Sequence, residues 1–267
     1  DSKNLSEKPS TFAGEVQPHE TIHVVLRSLA SFAEGRMPSR LARTDQFERI
    51  AEYRADEPIR RTAAAFGMLM IESHRGTTEW TARCTAVAIA PDTIITNFHC
   101  LSVSDTSEII DRLTLWIDYV DAHNVTKIDV NLTPIEKDQA LDYVILTLKT
   151  SLNPATHVLP SVRFRAALPG ESLLLVHHSR GEVKSVTRYR CRVATDRDHV
   201  KDRLAHSCDA TSGSSGALVL AERDHAIVGL HRSSTKDDRP YVGYATPAMA
   251  LLAKSPTLQA LSRQAVR

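Results

Sequence analysis

The chain has 267 residues, with 33 Lys+Arg against 32 Asp+Glu, a formal net charge of +1, and 42% hydrophobic residues. That balance suits a globular chain with a substantial core, one domain or two at about 150 residues each. It excludes a basic nucleic-acid binder, and no apolar run approaches the length of a membrane span. No G-x-G-x-x-G or G-x-x-x-x-G-K-[ST] occurs, so the common nucleotide-binding enzymes are excluded as well.

The opening DSKNLSEKPS is charged and lacks an apolar core, so no signal peptide is expected there. Ile22, Val25, Leu26, Leu29, Phe32 and Ala33 recur at helical spacing. A second amphipathic helix is expected from an N-cap at Thr44, with Phe47, Ile50 and Ala51 on one face. Gly35 and Pro38 punctuate the gap. Residues 1–60 therefore read as a helical extension. It is either a permanent accessory, the preferred reading, or a propeptide cut at Arg60-Arg61.

After Pro58 the texture becomes that of short strands. GMLMIE (67–72), CTAVAIA (84–90), TIITNF (93–98), LTLWIDY (113–119), YVILTL (143–148), SLLLVH (172–177), GALVLA (216–221) and AIVGLH (226–231) are β-prone runs separated by turn residues. Such spacing predicts a sandwich or barrel rather than a parallel sheet. A last helix is expected beyond Pro247, capped by Ser255 and opening at Pro256.

Four cysteines, Cys84, Cys100, Cys191 and Cys208, form no C-x-x-C pair, which argues against a zinc ribbon. They suit disulfides in an oxidising compartment; free thiols in a cytosolic protein are the alternative. The neighbours His177-His178 would point to opposite faces of a strand and so make a poor shared metal site.

Three segments carry chemistry: Thr96-Asn97-Phe98-His99-Cys100, Leu141-Asp142-Tyr143-Val144-Ile145-Leu146, and Cys208 to Ala217 with the turn Gly213-Ser214-Ser215-Gly216. A serine hydroxyl is a weak nucleophile until a base takes its proton, and the base works better when a carboxylate orients it. Only Ser215 in its loop has Gly two residues before it and Gly directly after, freedom that lets the backbone turn and expose a hydroxyl.

In the order His, Asp, Ser these segments resemble the chymotrypsin-like (trypsin-fold) serine peptidases over roughly residues 62–253. T-N-F-H-C is similar to the family's T-A-x-H-C block, D-Y-V-I-L to its D-x-A-L-L block, and G-S-S-G-A to its G-D-S-G-G block. HHSRGEVKSVTRYRC resembles the segment before the nucleophile in bacterial members, and ADEPIRRTAAAFGMLMIE and GLHRSS resemble the bacterial glutamyl-endopeptidase branch. The resemblance implies an all-β fold of two antiparallel six-stranded β-barrels, the boundary between them near 150–165, within a peptidase domain at 61–267 and followed by a C-terminal helix. It implies a secreted or periplasmic serine endopeptidase acting on protein or peptide substrates, with no cofactor or metal; a non-catalytic binding member of the fold is the alternative.

By position, His99 would be the general base, Asp142 its orienting carboxylate, Ser215 the nucleophile, and the amides of Gly213 and Ser215 the oxyanion hole. Cys84–Cys100 and Cys191–Cys208 would be the disulfides, and Asp209 and His231 would lie at the specificity pocket. Ser214 stands where the family has an Asp that pairs with a freshly cleaved N-terminus, so activation by that ion pair is not expected. Arg232, Ser233 and Ser234 replace the aromatic and glycines of the pocket strand. Asp209 would favour Lys or Arg before the scissile bond and His231 Glu or Asp; the acidic preference is given slightly more weight.

Overall fold

The computed structural model describes residues 46–102, 108–121, 123–195, 203–235 and 242–264. The helix expected at 22–33 lies outside these residues. Strands run as β1 (Glu48–Arg49), β2 (Phe66–Arg75), β3 (Thr78–Ala90), β4 (Thr93–Thr96), β5 (Ile109–Ile117), β6 (Thr126–Val130), β7 (Glu136–Asp138) and β8 (Tyr143–Thr147). They continue as β9 (Leu173–His177), β10 (Ser185–Thr187), β11 (Leu204–His206), β12 (Leu218–Ala221), β13 (Ile227–Ser234) and β14 (Gly243–Pro247). The helices are α1 (Pro58–Ala63), α2 (Pro154–His157), α3 (Ala248–Lys254) and α4 (Pro256–Gln264).

Two antiparallel sheets of seven strands result, ordered β6-β5-β2-β3-β4-β8-β7 and β1-β10-β9-β12-β13-β14-β11. Each exceeds the six strands expected. One gains the short β7, and the other gains β1, which pairs with β10 through Glu48↔Val186. The first sheet curls on itself where Asn131 N donates to Thr147 O at 2.9 Å and Lys149 N to Asp129 O at 2.8 Å. In the second, residues 192–193 bridge Ser172, just before β9, to His206 of β11. Curling satisfies backbone groups that an open edge would leave unpaired.

Each sheet has its own apolar interior. Leu69, Ile71, Ala86, Ile94, Leu115 and Leu146 fill the first, and Leu173, Leu175, Val219, Val228 and Ala245 the second. A further cluster includes Phe66, Val87, Ile95 and Tyr143 from the first sheet and Val176, Leu218 and Leu230 from the second. Alternation along β9 produces this: Leu173 and Leu175 face inward while Leu174 and Val176 face the shared layer. At the C-terminus Ser255 Oγ accepts from Leu258 N at 3.1 Å, capping α4 as its sequence predicts.

The helix expected from Thr44 is corrected. Glu48–Arg49 is a strand and Ile50–Glu52 a single 3-10 turn. The spacing of Phe47 and Ile50 is periodic, but each is claimed by a different tertiary partner. Phe47 sets its ring edge-on to His177 at 5.0 Å, and Ile50 is buried in the shared layer. Residues 46–60, grouped with the extension by sequence, are thus part of the packed body. Arg60 and Arg61 lie inside α1, whose Ile59, Thr62 and Ala63 are buried, so cutting there would sever a packed helix. Ile50→Ala is expected to cost about 2–5 kcal/mol in urea unfolding. A loss below about 0.5 kcal/mol would show that residues 46–52 contribute nothing to the core.

Candidate active site

β4 and β8 are antiparallel neighbours with Thr96 opposite Val144, so the end of one strand lies beside the start of the other. That register brings the 3-10 turn Phe98–Leu101 next to Asp142. The disulfide Cys84–Cys100 ties this turn to β3. Asn97 Nδ2 donates to the carbonyl of Asp142 at 2.8 Å, and the Thr246 hydroxyl donates to the carbonyl of Leu141 at 2.7 Å. Asp142 itself has φ of 53°, a left-handed conformation that Asp tolerates better than bulkier residues.

His99 and Asp142 meet twice. His99 N donates to Asp142 Oδ1 at 2.9 Å, and His99 Nδ1 lies 2.8 Å from Oδ2. The carboxylate is buried and the imidazole half-exposed, so Nδ1 faces protein while the rest of the ring reaches the cleft. The carboxylate fixes the tautomer with the proton on Nδ1, leaving Nε2 free to accept one.

Ser215 lies in a turn of the second sheet that docks onto Thr85 of β3. Thr85 N donates to Ser215 O at 2.8 Å, Thr85 Oγ1 donates to Gly213 O at 2.8 Å, and His178 N donates to Thr85 Oγ1 at 3.0 Å. Both glycines are dictated by this approach. Gly213 has φ of 90° and Gly216 of 87°. A β-carbon on Gly216 would lie 2.1 Å from both Thr85 O and Thr96 Oγ1. Ser215 is half-buried, and among the described residues its hydroxyl makes no hydrogen bond.

The peptide planes of the turn are pinned from one side. Ser212 O accepts from Arg180 N at 2.6 Å, and Ser214 O accepts from Ala217 N at 3.2 Å. In a trans peptide the N–H points opposite to the C=O. The amides of Gly213 and Ser215 are therefore turned away from those partners, and among the described residues neither has an acceptor. The bond Cys191–Cys208 closes the segment that leads into the turn.

A family model described as a trypsin-like peptidase domain matches residues 84–230, more than half of the chain. The chain belongs to the trypsin-like peptidase family. Among solved structures, the serine endoprotease from Yersinia pestis is similar with a TM-score of 0.55 and 17% identity, over 77% of this chain and 65% of that one. The Rv3671c protease in its inactive form is similar with a TM-score of 0.50 and 19% identity, over 72% of this chain and 89% of that one. At these identities the likeness is one of fold, and this chain spans just under two thirds of the Yersinia protein. No curated protein matches the chain.

Within the trypsin-like domain, sequence reasoning passed over the partner of Ser214. The Ser214 side chain is buried; its Oγ lies 2.6 Å from His177 Nδ1 and accepts from Thr211 N at 3.1 Å. Thr187 Oγ1 spends its proton on Asp209 O at 3.0 Å, so His177 Nε2, 3.2 Å away, must donate to it. The ring is then neutral and Ser214 donates to Nδ1. Burial, with the repulsion of His231 and His178, pushes the His177 imidazole down to about 3. His177 and His178 point apart, as their strand positions predict: the second ring stacks on Tyr119 at 5.8 Å. Only the oddity of Ser beside the nucleophile hinted at such an anchor.

Of the expected pocket residues, His231 meets His206, with Nδ1 3.1 Å from Nε2. His206 Nδ1 accepts from Cys208 N at 3.2 Å, so the neutral His206 ring carries its proton on Nε2 and donates to His231. The proton of a neutral His231 is thereby left on Nε2. Burial, then the nearby His99, lowers the His231 imidazole to about 4. Asp209 Oδ2 accepts from Gln46 N at 3.3 Å.

Four buried histidines with depressed values set the acid behaviour. His177 and His178 fall to about 3, His231 to about 4, and His206 well below its usual value, all through burial first. The unfolded chain, titrating near 6.5, binds more protons than the native one between pH ~6.5 and pH ~3. The histidines' share of stability is therefore complete above about pH 6.5 and falls on acidification, each histidine contributing about 1.4 kcal/mol per pH unit across its window. In urea unfolding between pH 4 and pH 6, His177→Gln should remove one such increment of slope. An unchanged slope would mean that His177 takes up its proton in the folded state.

Proposed function

We propose that the chain is a serine endopeptidase that hydrolyses peptide bonds through an acyl-enzyme, with His99 as general base and then acid, Asp142 as its orienting carboxylate and Ser215 as the nucleophile. The observation that carries this is the paired contact of Asp142 with His99 N and Nδ1, in a chain whose family is trypsin-like. His99 takes the hydroxyl proton of Ser215 as Oγ attacks the scissile carbonyl, and Asp142 stabilises the imidazolium that forms. The outward-turned amides of Gly213 and Ser215 receive the developing oxyanion. His99 then hands its proton to the leaving amine, and water repeats the cycle on the ester. Nothing in this chemistry calls for a cofactor. With both disulfides formed, an oxidising setting, secreted or periplasmic, is the matching location.

For the residue before the scissile bond we favour Glu or Asp, the preference suggested by likeness to the glutamyl-endopeptidase branch. His231 offers Nε2–H as a donor to an acidic side chain, and Asp209 Oδ2 accepts from Gln46 N.

A fluorophosphonate should label Ser215 of the folded chain, located by peptide mapping. Ser215→Ala should abolish labelling and lower kcat by about 10⁴- to 10⁶-fold. An unlabelled Ser215 in a fully folded chain would favour a binding protein on the same fold. In a mixed peptide library, cleavage is expected after Glu or Asp. Dominant cleavage after Lys or Arg that disappears in Asp209→Ser would overturn the acidic preference.

A further inference from the structure

The residue after His231 does not follow the alternation of its strand. β13 and β14 pair His231 with Ala245 and then Ser233 with Tyr244, so Arg232 is the extra residue of a bulge. A bulge re-aims the side chain it carries, and such features recur beside active sites. Here it sends Arg232 across to the other sheet, where Nε stands 3.4 Å from Asp142 Oδ2, the oxygen that also faces His99 Nδ1.

The placement is odd for a merely structural ion pair. Asp142 already receives two donors from His99. The Arg232 side chain remains about one fifth exposed (21%) while that of Asp142 is 6% exposed. Among the described residues Asp142 is the one partner of Arg232, and Nη1 and Nη2 have no acceptor. A guanidinium presents five donors in a rigid fork. With Nε 3.4 Å from a buried carboxylate and the side chain partly exposed, the Nη atoms are left without an acceptor among the described residues.

We infer that Arg232 is a specificity-determining residue whose Nη atoms receive an acidic side chain of the substrate, at a position other than the one that enters the His231 pocket. The two sites are separate by construction. His231 turns into the second sheet toward His206, whereas Arg232 turns toward Asp142 on the first. A carboxylate fits the fork bidentately, and a hydrogen bond to a charged group discriminates more strongly than one between neutral groups. The ionisable groups around the fork are Asp142 and, through it, His99, with His231 one residue back on the same strand.

The inference rests on the peptidase reading, and one set of measurements separates the two. One portion of the full chain is treated with fluorophosphonate to read labelling of Ser215, and a separate untreated portion is assayed on peptide pairs that carry Glu or Gln at each position flanking the scissile bond. The wild type is expected to prefer Glu over Gln by roughly tenfold to a hundredfold in kcat/KM at one flanking position outside the pocket. In Arg232→Gln that ratio should fall to near one, while Arg232→Lys, which keeps the charge but not the fork, should retain part of it. Because each ratio is internal to one variant, a general loss of activity does not mimic the result. Should the Gln variant fail to fold, the wild-type ratio must still shrink between low and molar salt, since an ion pair made by a partly exposed side chain is screened. A chain whose treated portion labels at Ser215 and whose untreated portion cleaves Glu and Gln peptides at equal rates at every flanking position overturns the inference, as does a ratio that survives in Arg232→Gln or is indifferent to salt. Failure of Ser215 to label in the wild type removes the peptidase reading and this inference with it.

Discussion

Thr85 is the residue to which both halves of the site are referred. Its carbonyl accepts from Thr96 Oγ1 at 2.8 Å, fixing the end of the strand that leads to His99. Its amide and hydroxyl hold the carbonyls of Ser215 and Gly213. Its neighbour Cys84 is bonded to Cys100, next to His99. The proposed pair, His99 and Ser215, comes from two different sheets and needs its separation kept to within a fraction of an ångström, because small misplacements erase the advantage of proximity. Hanging both loops on one buried residue of β3 is a direct way to do so, and it explains why Gly216 must be a glycine: the backbone comes closer to Thr85 and Thr96 than a β-carbon permits.

The second constraint is the inner support of the nucleophile turn. Fastening a turn with a buried carboxylate against an ammonium group requires both charges to leave water, a desolvation that their attraction only partly offsets. Here Ser214 and His177 do it with neutral groups, each donor matched to an acceptor through Thr187 and Thr211. Such a network needs no new chain terminus to complete it, so the turn is held in the chain as it stands. Its weakness is acid, since a proton on His177 Nδ1 would displace the Ser214 hydroxyl.

How much of this was legible depended on whether the signal was local. The eight apolar runs all became strands because each carries enough Val, Ile and Leu to be buried whichever way it pairs. The strands not anticipated, among them Glu136–Asp138, Ser185–Thr187 and Leu204–His206, are short, and a neighbouring strand rather than their own composition makes them strands. At Phe47 and Ile50 a helical period was real in the sequence, yet pairing of Glu48–Arg49 with β10 overrode it. The segments holding His99, Asp142 and Ser215 could be picked out because the turn residues that shape them lie alongside in sequence. Thr85, His177 and the reach of Arg232 could not, since each acts through a residue more than thirty positions away.

Charge around the cleft is sorted by access to water. On the pocket side, His177, His206 and His231 are buried and share protons as neutral rings, which avoids the cost of an unpaired ion in a low-dielectric interior. On the other side, the buried Asp142 carboxylate accepts from His99 N, faces His99 Nδ1, and has the Arg232 guanidinium 3.4 Å away as an ion-pair partner. A fully buried guanidinium there would hold the carboxylate still more tightly but would also oppose a second cation forming on His99. Leaving Arg232 partly in solvent softens that opposition through the higher local dielectric. The bulge at Arg232 thus places a partly exposed guanidinium beside the buried Asp142, while His231, one residue earlier, turns to His206 as a neutral ring.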